Sequence, residues 1–291
     1  MSHLKAGASF LALFCFAACG RQVVEFGADG AGTGGIAAGG AGIAVGGAGE
    51  GGVAAGDAGM GGAAVGDAGM GGAGMGDAGM GGVCSQARIA LGAAANFAVL
   101  AGSSVTSTGL TTVAGNLGVS PGTAITGFPP GIVVGLVHAG DPTSAQGIAD
   151  LTTAYNDAAG RTLCPVAVSG NLGGRTLTPG LYKSTSSLAV SSGDLTLDAQ
   201  GNSKAIFIFQ MASTLTTTSG RQVILTNGAL ATNVYWQVGT SATLGTTSAF
   251  QGTIMADQAI TLGTGATLTG RALARIAAVN LAGNPIVTPL P

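Results

Sequence analysis

The feature that most constrains this chain is a recurrence. ATLGTTSAFQG (242–252) returns eighteen residues later as ITLGTGATLTG (260–270), and Leu244, Leu262 and Leu281 hold one place at steps of 18 and 19. Tyr235-Trp236-Gln237 leads likewise to Thr253-Ile254-Met255 and then to Ala272-Leu273-Ala274, again 18 and 19 residues on. Within each step lie three short strand-like runs separated by Gly, Asn or Ser. Alternation of apolar and other residues over such runs marks half-buried strands. Three strands per turn at a fixed period is the pattern of a three-sided parallel β-helix, a mainly β solenoid.

That geometry sorts side chains by parity. Leu244, Leu262 and Leu281 stack inward as an apolar column. Thr243, Thr261 and Asn280 fall in one outward column, and Gly245, Gly263 and Ala282 in a second with almost no side chain. The preceding coil is longer, so either Thr214 or Thr216 continues the first column. An alternative outward face carries Thr196, Thr267 and Thr269, interrupted by Ile224 and Gln251. One segment departs from the strand texture. In TSAQGIADLTTAYNDAAG (143–160), Ile148, Leu151, Thr152 and Tyr155 recur at helical spacing, with Asp141-Pro142 as a start signal and Gly160 as a stop. One amphipathic helix is expected there.

The part before Cys84 has a different character. Lys5 followed by the apolar run 6–16 reads as an export signal, too short to span a bilayer as a mature helix. It ends in Phe16-Ala17-Ala18-Cys19-Gly20, which is similar to a bacterial lipoprotein cleavage box, although a branched aliphatic usually stands where Phe16 does. Acylation of Cys19 would anchor the chain to a membrane, and Gly20 after it points to the outer membrane by analogy with bacterial sorting. The alternative is an ordinary secretory signal and a secreted chain. Residues 20–83 are a Gly/Ala-rich linker containing a ten-residue repeat, GDAGMGGAAV, GDAGMGGAGM, GDAGMGGV. With no branched apolar face to bury and glycine costly to order, it is expected to be disordered. A glycine-rich coil of that length has an end-to-end distance on the order of 40 Å. GGAGMGD (71–77) falls one insertion short of a calcium-binding nonapeptide and lacks the apolar strand position after it.

Composition excludes several function classes. Only 8% of residues are charged and the net charge is -2, which gives no electrostatic footprint for nucleic acid. In the expected folded domain, 84–291, the single histidine is His138, with no carboxylate or cysteine cluster to make a metal site, and no cofactor motif occurs. Asp194 and Asp198 flank the alternating run Leu195-Thr196-Leu197 and could pair for glycoside hydrolysis. Such acids more often terminate strands, and no catalytic residue is assigned. Arg271 and Arg275 share a strand face and are expected on a salt-bridged or solvated rim. Cys84 and Cys164, in an exported chain, point to one disulfide closing a long loop, with two free thiols as the other reading.

LGAAANFAVLAGSSVTSTG (91–109), GNLGVSPGTAITGFPPG (115–131), ADLTTAYNDAAGR (149–161), LTPGLYKSTSSLAVSSGDLTLDAQGN (177–202), AIFIFQMASTLTT (205–217), NVYWQVGTSATLGTTSAFQGTIMA (233–256) and TGATLTGRALA (264–274) resemble, in order, the ice-binding protein family of bacteria, algae and fungi. The resemblance runs from about Leu91 to the C-terminus. It implies a discontinuous right-handed β-helix of triangular section with one long helix packed alongside, and adsorption to an ice crystal surface through one flat face. Coils about 4.8 Å apart come close to the oxygen repeats of ice, and threonine offers a methyl, a hydroxyl and restricted rotamers. Thr214, Thr216, Thr243, Thr261 and Asn280 are therefore the candidate ice-binding residues. A monomer displayed at the cell surface is expected, with no enzymatic activity. The rival readings are a surface adhesin that binds glycan or cells, and a polysaccharide-cleaving β-helix, which would need acids and bases clustered in a groove.

Overall fold

The computed structural model describes residues 84–289. The signal, the Gly/Ala-rich linker, Cys19 and the GGAGMGD run lie outside the described residues. Eight coils stack through parallel strands, each coil giving one strand to each of three faces. Coils 1 and 2 span 97–114 and 116–134. Coils 3 to 8 span 165–177, 180–198, 207–226, 234–251, 252–269 and 270–287. Their order in space is 2-1-8-7-6-5-4-3. Coil 1 thus stacks on coil 8: Val99 pairs with Ala272, and Val105 with Val279. After coil 2 it adds one more strand, Val137–Ala139, and the helix Pro142–Gly160 then leads to coil 3 at the far end.

The helix forms where its signals stand. Asp141 is the N-cap: its Oδ1 accepts from Ser144 N at 2.8 Å and from Ser144 Oγ at 3.0 Å, and Pro142 occupies the first turn, where no N–H is needed. Ser144, Gly147, Leu151, Ala154, Tyr155 and Ala158 are its buried positions. The face is built of small residues because it lies close to the sheet; a Cβ on Gly147 would stand 2.8 Å from the Phe97 ring. At the other end Gln210 Nε2 donates to the carbonyls of Ala158 (2.6 Å) and Arg161 (2.9 Å), closing the orphan carbonyls of the last turn.

Beside the helix runs a strap, residues 84–96. Cys84 is disulfide-bonded to Cys164 with Cα atoms 5.6 Å apart, so the pair expected from the cysteine count is formed. Gln86 Nε2 donates to Leu163 O (2.9 Å), Arg88 Nε to Tyr235 Oη (3.2 Å) and Arg271 Nε to Ala95 O (3.0 Å). Strap and helix together bury Leu181, Ile208, Tyr235, Met255, Leu273 and Leu100 on the outside of one face. Arg275 sits here too, bonded to Asp257 at 2.7 Å with its guanidinium over the Tyr155 ring, so both arginines are structural. Burial lowers the Arg271 pKa.

Inside, the columns are apolar, which is what stacked identical parities require. Leu188, Leu215, Ala242, Ile260, Val279 and Val105 form one continuous column. Tyr182, Phe209 and Trp236 form an aromatic stack, with Phe209 and Trp236 centroids 4.0 Å apart and nearly parallel. One expected alignment needs correction. Thr253-Ile254-Met255 continues onto Arg271-Ala272-Leu273, not Ala272-Leu273-Ala274, so both steps on this face are 18 residues. The extra residue of coil 8 lies in the corner after Ala274, four residues before Val279 against three at 257–259. It lengthens the step only on the next face.

Candidate functional site

That next face is an eight-stranded parallel sheet with no cover among the described residues. Its central outward column reads Thr126, Thr106, Asn280, Thr261, Thr243, Thr216, Ala189, Asn171, one residue per rung in register. Thr216, Thr243, Thr261 and Asn280 are therefore brought together. Thr214 is not in this column. It lies two residues earlier, in a flanking column with Ser187, Ser241, Ala259 and Ala278, and its hydroxyl bonds Ser187 Oγ at 2.9 Å. The opposite flank holds Gly245, Gly263 and Ala282, as parity demands. The two glycines are needed for packing: a Cβ on Gly245 would come within 2.6 Å of Ser219 N, and one on Gly263 within 2.8 Å of Thr246 N.

Thr106 and Thr126 were missed. Their coils come first in the chain, so no step of 18 or 19 residues links them to Thr261. The alternation in SVTST (104–108) was the available signal. Asn280 occupies the seam. Its Oδ1 accepts from Thr106 Oγ1 at 2.8 Å, and its Nδ2 reaches Thr261 Oγ1 at 3.4 Å. At the far end the array stops, because Ala189 has no hydroxyl and Asn171 Oδ1 turns back to accept from Ser191 N and Gly173 N. Six rungs, Thr126 to Thr216, thus carry a polar group on a β-sheet, over roughly 24 Å at about 4.8 Å per rung.

The face holds no titratable group. At its corner with the helix face Asp257 and Arg275 neutralise each other, and at its other corner Arg221 lies 3.7 Å from Asp194. β-Branching fixes the threonine rotamers, and the sheet beneath fixes their spacing. The array can therefore present a rigid, uncharged lattice of methyl and hydroxyl groups, and its strands carry no Asp, Glu, His, Lys or Arg to activate a hydroxyl.

The third face is less regular. Thr196 pairs with Thr176 on one side and Ile224 on the other, and Thr269 pairs with Gln251 and Val287. Thr267 pairs with Ala249, in the neighbouring column. The alternative set Thr196, Thr267 and Thr269 is thus divided between two columns and interrupted. Asp194 and Asp198 serve turns: Asp194 accepts from Gln222 N (3.0 Å), and Asp198 from Gln200 N and Asn227 Nδ2 (both 2.8 Å), which hold the Asp198 carboxyl below its usual range. His138 Nδ1 meets Asp141 Oδ2 at 2.7 Å. Among the described residues no group of three or more His, Cys, Asp or Glu could hold a metal ion, and no helix is long and apolar enough to cross a membrane.

Residues 99–287 match the ice-binding-like protein family. The chain belongs to that family. An ice-binding protein from Nostoc sp. (strain HG1) is 48% identical over 197 residues, 67% of this chain and 72% of the relative. One from Flavobacterium frigoris (strain PS1) is 37% identical over 68% of this chain and 76% of its own length. Among solved structures, an ice-binding protein from an Antarctic biological consortium superposes with a TM-score of 0.70 at 62% identity, over 71% of this chain and 93% of that one. The fold of the ice-binding-like family is thus the stacked β-helix with one helix found here.

Proposed function

We propose that this chain binds ice without catalysis, through the uncharged face that carries Thr126, Thr106, Asn280, Thr261, Thr243 and Thr216. The observation that carries the reading is the register of that column: six consecutive rungs at one spacing, free of charge. Each threonine methyl excludes loosely held water while its hydroxyl anchors an ordered layer, and the sheet pre-orders the array before contact. Ice growth between adsorbed molecules then curves and slows. The names of the relatives support the same reading. We further propose display at the cell surface, with Cys19 acylated in the outer membrane and residues 20–83 as the tether, so that the cell holds to ice or is shielded at its surface.

The test is thermal hysteresis and ice recrystallisation with the full chain and with Thr243→Tyr. The expected result is faceted crystals and slowed recrystallisation, lost in the variant while its melting temperature stays put. Crystals of unaltered shape at high concentration of the unmodified chain would sink the proposal. Full activity in Thr243→Tyr would move the site off this face.

A further inference from the structure

The coils do not all turn the same corner. Between coils 6 and 7, and again between 7 and 8, the chain passes from the third face to the helix face as one unbroken strand, Ala249–Ala256 and Thr267–Ala274. Between coils 4 and 5, and between 5 and 6, it loops out instead, over 199–206 and 227–233. These loops and the strap wall a groove of three depressions that share residues. One of about 240 Å³ holds Arg271, Tyr235, Arg88 and Thr232. The next, about 400 Å³, shares Arg88 and Thr232 and adds Lys204, and the third, about 390 Å³, continues past Lys204. No Asp or Glu lines any of them, and none of the three cations makes an ion pair among the described residues. Asp150, on the helix, spends its oxygens on Ala93 N (2.7 Å) and Gln146 Nε2 (2.8 Å). Each arginine is fixed through Nε alone and by a neutral acceptor, Arg88 by Tyr235 Oη and Arg271 by Ala95 O. Their Nη groups meet no acceptor among the described residues. Thr232 is 6% exposed, and its hydroxyl is likewise without a partner there. Burial lowers the Arg271 pKa, and the charge of Arg88 lowers it further. Charges drawn out of water are normally paired; here two guanidinium groups and a hydroxyl line one depression, and the described residues bring no anion to it.

We infer that this groove is a binding site for an acidic polysaccharide, whose uronate carboxylates meet Arg271, Arg88 and Lys204. A guanidinium fork takes a carboxylate through two parallel charge-assisted bonds. A carboxylate between Arg88 and Arg271 offsets both the burial of Arg271 and the repulsion between the two cations. The groove runs on past Arg88 to Lys204, which suits an extended ligand with recurring charge better than one small ion. Thr232, Ser203 and Gln86 line the middle depression together with Arg88 and Lys204, and they are neutral partners for sugar hydroxyls. A single-stranded nucleic acid would need an aromatic face on which to stack its bases. Tyr235, the aromatic of the groove, is 1% exposed. The same charge could come from the chain's own Asp57, Asp67 and Asp77, but the glycines around them make holding them in place costly. The groove follows the corner between the third face and the helix face, opposite the threonine face. A glycan held there leaves the threonine array free, and the site does not depend on ice binding.

The experiment is calorimetric titration of the full chain, in a Cys19→Ser background that removes any acyl group, with oligogalacturonate at low salt and with uncharged dextran beside it. Binding of the oligogalacturonate alone is expected, weakening as salt is added. Arg88→Gln should raise the Kd about tenfold. Lys204→Gln, which touches no strap contact, should raise it several-fold with circular dichroism and melting temperature unchanged. Arg175→Gln, a cation outside the groove, should leave it as it was. No binding of oligogalacturonate at low salt overturns the inference. If the chain with Asp57→Asn, Asp67→Asn and Asp77→Asn then binds where the native chain does not, the groove belongs to the chain's own carboxylates. Equal weakening by Arg175→Gln and Lys204→Gln, or equal binding of dextran, would also overturn it, because the groove would then select neither charge nor place.

Discussion

Thr106 Oγ1 donates to Asn280 Oδ1 at 2.8 Å across 174 residues of sequence. This bond crosses the seam where the first coil stacks on the last, and Asn280 passes it on to Thr261. The threonine array is therefore one surface assembled from both ends of the chain. Thr106→Tyr should then reduce thermal hysteresis several-fold, as strongly as Thr261→Tyr, with the melting temperature unchanged. If only residues after 187 form the working surface, Thr106→Tyr would leave hysteresis intact.

Asn284 is the other residue that ties this seam. It is fully buried; Nδ2 donates to Gly263 O (2.8 Å) and Ala266 O (2.9 Å), Oδ1 accepts from Ala282 N, and its own N–H goes to Thr111 Oγ1. Asn284→Ala strands these buried groups, with a penalty of about 1–3 kcal/mol. Thermal unfolding should show a drop of about 2–4 °C for each kcal/mol lost. Because Gly263 and Ala282 flank the threonine column, hysteresis measured below the transition should also fall.

The sequence made part of this legible. Columns within coils 6 to 8 could be read because their steps are nearly constant, and Thr243, Thr261 and Asn280 do align. Thr216 could not be separated from Thr214, because the stretch 218–241 contains a longer corner, Thr226 to Val234, that breaks the step. The helix was legible from Asp141, Pro142 and its apolar spacing. Thr106 and Thr126 were hidden for a different reason: stacking order is a tertiary fact, and coil 1 lies beside coil 8 while the helix carries the chain from coil 2 to coil 3 at the other end. Asn284 gave no periodic signal, since a corner asparagine looks like any turn residue.

Acid should act on the scaffold before it acts on the array. The backbone N–H of Ser144 and the His138 ring hold the Asp141 carboxyl below its ordinary value, and the Gln200 N–H and Asn227 amide do the same for Asp198. A carboxyl with a depressed folded pKa contributes stability that is present above its unfolded value of 3.8 and lost as pH falls through the lower, folded one. The contribution of these carboxyls should therefore decline below about pH 4. Asp141→Asn, which keeps a capping side chain, should flatten that decline when unfolding is followed against pH. Hysteresis should not vary with pH wherever the chain stays folded, because the threonine face carries no titratable group. A titration of hysteresis near neutrality would show that a charged group takes part.

The disulfide closes a loop that contains the strap, coils 1 and 2 and the helix, which otherwise join the remaining coils through strand pairing, hydrogen bonds and packing. With Cys84 and Cys164 separated by 80 residues, removing the bond by Cys84→Ser with Cys164→Ser should lower stability by about 2–4 kcal/mol. The loss should be uneven. Gln86, Ala87 and Arg88 hold the strap through hydrogen bonds to Leu163, Arg161 and Tyr235, and these are the contacts nearest the freed end. Hydrogen exchange should speed up first in 85–95, while Ala242–Leu244 and Ile260–Leu262, central in their sheet, keep their protection. Pulling on the N-terminus of a single molecule should peel the strap at low force in the variant and not in the native chain, where tension passes through Cys164 into the end coil. Equal exchange rates in the strap of both forms would show that packing of Ile89, Leu91 and Ala94 suffices to hold it.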